Sequence, residues 1–252
     1  MSIAKCLEIL SKYKLSFLLG IRTTLFVAIS GTLIGLLIGL IVGGIRAIRL
    51  DKTVSKTKKT IKRIVDIIFR IYIEIFRGTP MMVQAVFIYY LVYTNIVRWD
   101  KMVAAIFVIS VNTGAYMAEI IRSGIQAVDP GQNEAARSLG MSSMQTMKDI
   151  VLPQAIKNAF PAIGNELIVN IKDSSVLMII SITELMFQSN SIAGTTYRFT
   201  ETYFVTAMIY LCMTSVSSVI LNFIEKKMNN TKTSLPQSDT DFRSITMAKE
   251  KI

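Results

Sequence analysis

Histidine is absent from the 252 residues, and cysteine occurs only at Cys6 and Cys212. Without imidazole, and with two thiols at opposite ends of the chain, a zinc-type metal site and a structural disulfide are both disfavoured. The commonest general base is also missing, and no nucleophile–base–acid set stands in its place. No glycine is followed by lysine, which excludes a GxxxxGK[ST] phosphate loop and ATP binding of that kind. Evenly mixed charge is lacking too: 18% of the residues are charged against 52% hydrophobic, and the charges cluster. Residues 25–45, 79–97, 102–118 and 203–224 form uncharged runs, each near the roughly 20 residues that a helix needs to cross a bilayer. The chain therefore reads as an all-α polytopic membrane protein.

The formal net charge of +11 points to nucleic acid only if distribution is ignored. Between Arg46 and Arg63 lie Arg46, Arg49, Lys52, Lys56, Lys58, Lys59, Lys62 and Arg63 against the single acid Asp51. Basic residues beside span ends mark the cytoplasmic side. With five spans, at about 17–45, 79–97, 102–122, 160–187 and 203–224, that assignment puts 18 Lys and Arg inside and 7 outside. The N-terminus is then outside and the C-terminus cytoplasmic. A transmembrane domain covers 1–228 with a cytoplasmic loop at 125–158. The polar residues from Glu225 lead into a tail, 229–252, whose composition predicts disorder. No apolar stretch precedes Cys6 to serve as a signal peptide, and the first long one exceeds a removable segment.

Within the spans, Gly31, Gly35, Gly39 and Gly43 recur every four residues, a small-residue ridge suited to close helix packing in lipid. It serves either this chain or a partner. Asp66, Arg70 and Glu74 share a helix face and can pair along it, as an interfacial lead-in to the second span. Pro80 predicts a bend as that span begins. The third span carries Asn112, Thr113, Tyr116 and Glu119, with Arg122 three residues beyond Glu119, the spacing of a structural ion pair. The fourth is interrupted by Asn165, Glu166, Asn170, Lys172 and Asp173. A charge at membrane depth costs about 2.5–3.5 kcal/mol on insertion scales, so this segment either faces protein or water or breaks near Lys172.

Between the third and fourth spans lies a loop reading Glu134-Ala135-Ala136, then Gly140, then Leu152-Pro153. Asp129 suits an N-cap, Pro130 the first helical position and Gln132 a capping-box partner. Gly140 suits the left-handed end of that helix. Ser142 and Gln145 repeat the capping-box spacing for a second short helix, which Pro153 is expected to stop. Ala135, Ala136 and Leu139 are predicted to form one small, flat face.

The spacing from Glu134 through Gly140 to Leu152-Pro153 resembles the EAA loop of ABC-transporter permeases, the membrane subunits of ATP-driven importers. Phe76-Arg77-Gly78-Thr79-Pro80 is similar to the FRGTP segment of the permeases for polar amino acids. Ala115-Tyr116 with Glu119 and Arg122, Lys172-Asp173-Ser174-Ser175, and Glu184-Leu185 resemble further runs of that group. A serine stands at 174 where threonine is usual. The resemblance covers about 77–185. It implies the type I ABC importer permease fold in a bacterial cytoplasmic membrane, and import of polar amino acids. The implied partners are an ABC ATPase pair, an extracytoplasmic amino-acid-binding protein and a second permease subunit; no cofactor is implied. Glu134, Ala135, Ala136, Gly140, Leu152 and Pro153 are then the ATPase-coupling residues. For the substrate path, Asp173 or Glu166 offers an acceptor to an ammonium, Asn112 or Asn170 donors to a carboxylate, and Tyr116 lies a turn from Asn112. Lys172 and Asp173 pairing with each other is the structural alternative. Two other readings remain at this level. One is a gradient-driven transporter using Glu119, Glu166 and Asp173 as an ion relay; the other is an ABC permease for methionine, an osmolyte or an inorganic anion.

Overall fold

A chain without water to bond its backbone must satisfy every amide internally, and helices do so within one segment. The computed structural model describes residues 2–48 and 55–229, and every regular element among them is helical. In order these are α1 (Ile3–Lys12), α2 (Lys14–Ala47), α3 (Lys56–Gly78), α4 (Met81–Asn95), α5 (Lys101–Gln126), α6 (Pro130–Ser138), α7 (Ser143–Gln145), a π turn (Thr146–Val151), α8 (Leu152–Asp173), a 3-10 helix (Ser174–Ile180), α9 (Leu185–Thr196) and α10 (Phe199–Asn229). Three helices, α2, α5 and α10, are long and apolar enough to cross a membrane unaided. Two bent pairs raise the number to five: α3 with α4 at 113°, and Ser143–Ile180 with α9 at 57°. Arg49, Asp51 and Lys52 of the basic loop, and the tail beyond residue 229, lie outside the described residues. Helix α10 continues through the polar residues from Glu225 to Asn229.

The glycine ridge packs inside the chain, against α5. A Cβ on Gly31 would lie 2.2 Å from Ile109 Cγ2, one on Gly35 2.8 Å from Thr113 Cβ, and one on Gly39 2.3 Å from Met117 Cβ. At Gly43 it would lie 2.5 Å from the Ala118 carbonyl oxygen. Ile109, Thr113 and Met117 share the four-residue period, so two ridges meet along one seam. One polar clamp crosses it. Asn170 of α8 donates from Nδ2 to Thr32 Oγ1 (2.8 Å), and its Oδ1 accepts from the Thr113 hydroxyl (3.1 Å). Asn170 therefore binds α2, α5 and α8 together and is 3% exposed.

Of the two alternatives for the fourth span, a break near Lys172 is not the one found. Helix α8 runs through Lys172 to Asp173 and tightens into 3-10 geometry. The chain turns only at Ser181, whose φ of 64° is left-handed. Glu184 then caps α9, accepting from the Met186 and Phe187 amides at 2.7 Å each and from the Tyr210 hydroxyl at 3.0 Å. A fully buried carboxylate is tolerated here because three donors replace its water. At the other end, Pro153 does not stop a helix; it opens α8. The π turn before it supplies the reason. An i→i+5 pattern widens the backbone where proline would otherwise strike the carbonyl four residues back. Beside the bundle, α1 is tied to the start of α10 by Glu8 and Arg198 at 2.7 Å. That hydrogen bond holds the Glu8 carboxyl below its ordinary range. The tie is thus present above the usual carboxylate range and lost as pH falls through the lowered value.

Replacing Gly39 by leucine should overpack the seam and cost at least about 1–3 kcal/mol, read as a lower thermal midpoint of the purified protein in detergent. Gly44 has nothing within 4 Å of its missing Cβ. Gly44→Ala should hold or raise the midpoint, alanine being the better helix former by about 1 kcal/mol. Equal midpoints for Gly39→Leu and wild type would show the seam to be loose.

Candidate functional site

Two regions carry the chemistry. The first is the loop between α5 and α8. Asp129 accepts from the Gly131 amide (2.8 Å) and Pro130 opens α6, but the box expected with Gln132 does not form: the Asp129 side chain is taken by Gly131, and Gln132 gives its backbone N–H to the Asp129 carbonyl (3.0 Å). The helix ends as the sequence predicts. Gly140 has a φ of +80° and donates to the Arg137 carbonyl (3.0 Å), while Met141 donates to the Ala136 carbonyl (3.1 Å). That pair of bonds is a Schellman motif. Nothing lies within 4 Å of the absent Gly140 Cβ, so glycine is required here by backbone conformation and not by space. Ser142 and Gln145 form the reciprocal box, at 3.3 and 2.9 Å.

The exposed face differs from the one expected. Ala136 turns inward and is 4% exposed, because α6 packs that side on the π turn. Glu134 and Ala135 remain exposed, and Leu139 and Met144 present 83% and 68% of their surface. Leu152 is half-buried and Pro153 exposed at the start of α8. Behind the loop, Glu119 joins the ends of two spans: it pairs with Arg46 of α2 and, at 2.7 Å, with Arg122. Sequence spacing points to Arg122 but not to Arg46, seventy-odd residues away.

The second region surrounds the break between α3 and α4. Pro80 cannot donate to the Phe76 carbonyl, and the turn leaves Thr79 similarly exposed. Gln84 answers both, its Nε2 lying 3.0 Å from Phe76 O, 2.9 Å from Thr79 O and 2.8 Å from Thr79 Oγ1. Asn112 donates to the same Phe76 carbonyl (3.1 Å) and to Gln84 Oε1 (2.8 Å). Asn112 is thus committed to the hinge, as Asn170 is to the clamp. Tyr116, a turn beyond Asn112 on the same face, meets the next residue of α3: its ring lies 5.3 Å from the Arg77 guanidinium. Arg77 and Tyr116 line a shallow cleft of about 310 Å³ with Ile73, Glu74 and Gly78. Glu166 of α8 is half-buried, and its charged neighbours are Asp173 and Arg77; Lys172 stands beside Asp173.

Of the five residues expected on a substrate path, the structure brings Tyr116 and Glu166 to Arg77, leaves Asp173 two turns along α8 from Glu166 beside Lys172, and turns Asn112 and Asn170 into packing. Gln84 and Thr32 are the residues that the sequence reading leaves out, while Arg77 enters it only within Phe76-Arg77-Gly78-Thr79-Pro80 and Thr113 only as a polar residue of the third span. Gln84 was detectable as the one amide early in an apolar run, four residues after a proline.

Residues 35–230 match the family described as the inner membrane component of binding-protein-dependent transport systems. The chain belongs to that family. This permease is 38% identical to the glutamine transport system permease protein GlnP of Escherichia coli (strain K12) over 160 residues, 63% of this chain and 73% of that one. GlnP of Shigella flexneri gives the same figures. A crystal structure of an amino acid ABC transporter with histidines superposes with a TM-score of 0.75 at 39% identity, covering 86% of the permease and 96% of that chain. An inward-facing methionine ABC transporter, at 20% identity and a TM-score of 0.71, shares the fold, with 86% and 98% covered. The permease is accordingly a multi-pass protein of the bacterial cytoplasmic membrane with the type I ABC importer fold.

Because the Asn112 amide serves the hinge, Asn112→Leu should strand Gln84 and lower stability by about 1–3 kcal/mol. The affinity of the folded protein for substrate should be unchanged. Weaker binding at an unchanged thermal midpoint would return Asn112 to the substrate path.

Proposed function

We infer that this chain is the permease subunit of an ATP-driven importer for polar amino acids, and that the substrate passes over the ledge formed by Arg77, Tyr116, Glu166 and Asp173. The observation that carries this reading is the Arg77 guanidinium set between the Tyr116 ring and the Glu166 carboxylate, with Asp173 two turns further along the same helix. A free amino acid carries both charges. Arg77 offers a planar fork to its carboxylate, and Glu166 and Asp173 offer acceptors to its ammonium. The Tyr116 ring, already in cation–π range of Arg77, holds the guanidinium in place at a cost of few rotamers. Lys172 moderates the acids, which suits a zwitterion better than a dication. Relatives that carry glutamine, and a solved amino acid transporter, support the substrate class.

The chain itself is not an enzyme. It works with a pair of ABC ATPase subunits, an extracytoplasmic binding protein and a second permease, a copy or a relative. The basic bias places the N-terminus outside and the Glu134 loop inside, where Leu139, Met144, Ala135 and Glu134 face the ATPase. Closure of the nucleotide-bound ATPase pair moves α6, the Gly140 hinge passes that motion to α8, and α8 carries Glu166 and Asp173. Coupling loop and substrate ledge are thus joined by one helix.

Two measurements test the reading. The tagged chain, gently purified from its native membrane, should bring an ATPase with it. Gly140→Val, which forces a branched residue into left-handed backbone at about 1–2 kcal/mol, should lose the ATPase or uncouple hydrolysis from uptake. Normal uptake in that variant would sink the coupling role. Glu166→Gln with Asp173→Asn should raise the concentration for half-maximal uptake about tenfold or more, and unchanged uptake would make both acids structural.

A further inference from the structure

Between the ends of α2 and α5 and the loop helices lies a cleft of about 700 Å³, within the range of small-ligand sites. Arg46, Arg122 and Arg137 line it, and Glu134 is the one carboxylate among the lining residues. Glu119, beneath, pairs with both Arg46 and Arg122. Two guanidiniums sharing one carboxylate leave a unit of positive charge, and Arg137 offsets Glu134. A second, independent feature points the same way. Thr146, on the π turn, lines this cleft and is 2% exposed, yet its hydroxyl has no hydrogen-bond partner among the described residues. A buried hydroxyl without a partner costs free energy unless something else meets it. Val151 supplies an apolar wall on the same side.

We propose that this cleft binds a phosphate group, carried either by an anionic lipid headgroup or by a free phosphate, and that the bound group braces the coupling loop against the spans. A singly charged phosphodiester matches the net charge of the lining. Its oxygens suit a guanidinium fork and accept from a hydroxyl. Basic recesses at the membrane-facing ends of helices are where anionic headgroups are held. The site touches α2, α5, α6 and the π turn at once, so an occupant ties the hinge to the helices that it must move. The binding site does not depend on which solute is carried, whereas the bracing role rests on the coupling role proposed for the loop.

The test uses the full-length wild type and the variants Thr146→Val and Arg46→Gln, delipidated in detergent. Phosphatidylglycerol, phosphatidylcholine and inorganic phosphate are added separately, and binding is followed by native mass spectrometry and by the thermal midpoint. The wild type should retain phosphatidylglycerol over phosphatidylcholine, with affinity about tenfold weaker in each variant. Thr146→Val preserves shape, so it keeps the test interpretable where Arg46→Gln lowers stability. Inorganic phosphate raising the midpoint and displacing the lipid identifies a soluble source; phosphatidylglycerol acting alone identifies the lipid. Equal retention by wild type and both variants overturns the proposal, as does no retention of either probe by the wild type. Neither readout depends on ATP hydrolysis or uptake.

Discussion

The seam between α2 and α5 is the constraint on which the rest of the molecule depends. In a bilayer no hydrophobic gain drives two apolar helices together, so association rests on close contact and on polar links between helices. Glycine at every fourth position removes the side chains that would hold the axes apart, and Ile109, Thr113 and Met117 fill the trough. Once the two helices are this close, Thr32 and Thr113 stand where a single amide, that of Asn170, can reach both. Helix α8 is thereby fixed against the pair. Its Glu166 and Asp173 are positioned because Asn170, one turn or less from each, is locked.

Breaks in the backbone follow the same economy. Each occurs where a side chain can take over the hydrogen bonds that the break releases. Gln84 and Asn112 cover the Phe76 and Thr79 carbonyls at the α3–α4 bend, and Glu184 covers the first amides of α9. At the start of α8 a π turn achieves with geometry what an amide does elsewhere, making room for Pro153. The loop therefore joins a capped helix, α6, to a long one, α8, through a left-handed glycine and a wide turn.

Much of this was legible in the residues, because local rules act locally. The N-cap at Asp129, the box at Ser142, the left-handed Gly140 and the Glu119–Arg122 pair depend on neighbours within four residues and are present, although Gln132 does not complete a box at Asp129. What failed to show depends on distant partners. Ala136 is buried by the π turn, an element that no short-range pattern announces. Whether the glycine ridge served this chain or another required knowing that α5 repeats the same period on its facing side. Asn112 and Asn170 looked like ligands because polar groups in spans are usually functional. Hinge and clamp use the same chemistry, and only tertiary placement separates them.

The acids within the spans decide between an ATP-coupled permease and an ion relay. A relay needs carboxylates that change protonation in turn along a connected path. Glu119 is held by two guanidiniums, and Glu184 by two amides and a hydroxyl; releasing a carboxylate from such partners is costly. Neither is suited to cycle. Glu166 and Asp173 are different, since no hydrogen bond or ion pair among the described residues occupies them. They lie two turns apart on one helix, Glu166 near Arg77 and Asp173 next to Lys172, so they make a patch and not a path. On the proposed reading, a patch with both signs of charge would hold a zwitterion and release it when the helix bearing it shifts, and that helix is the one that follows the Gly140 loop.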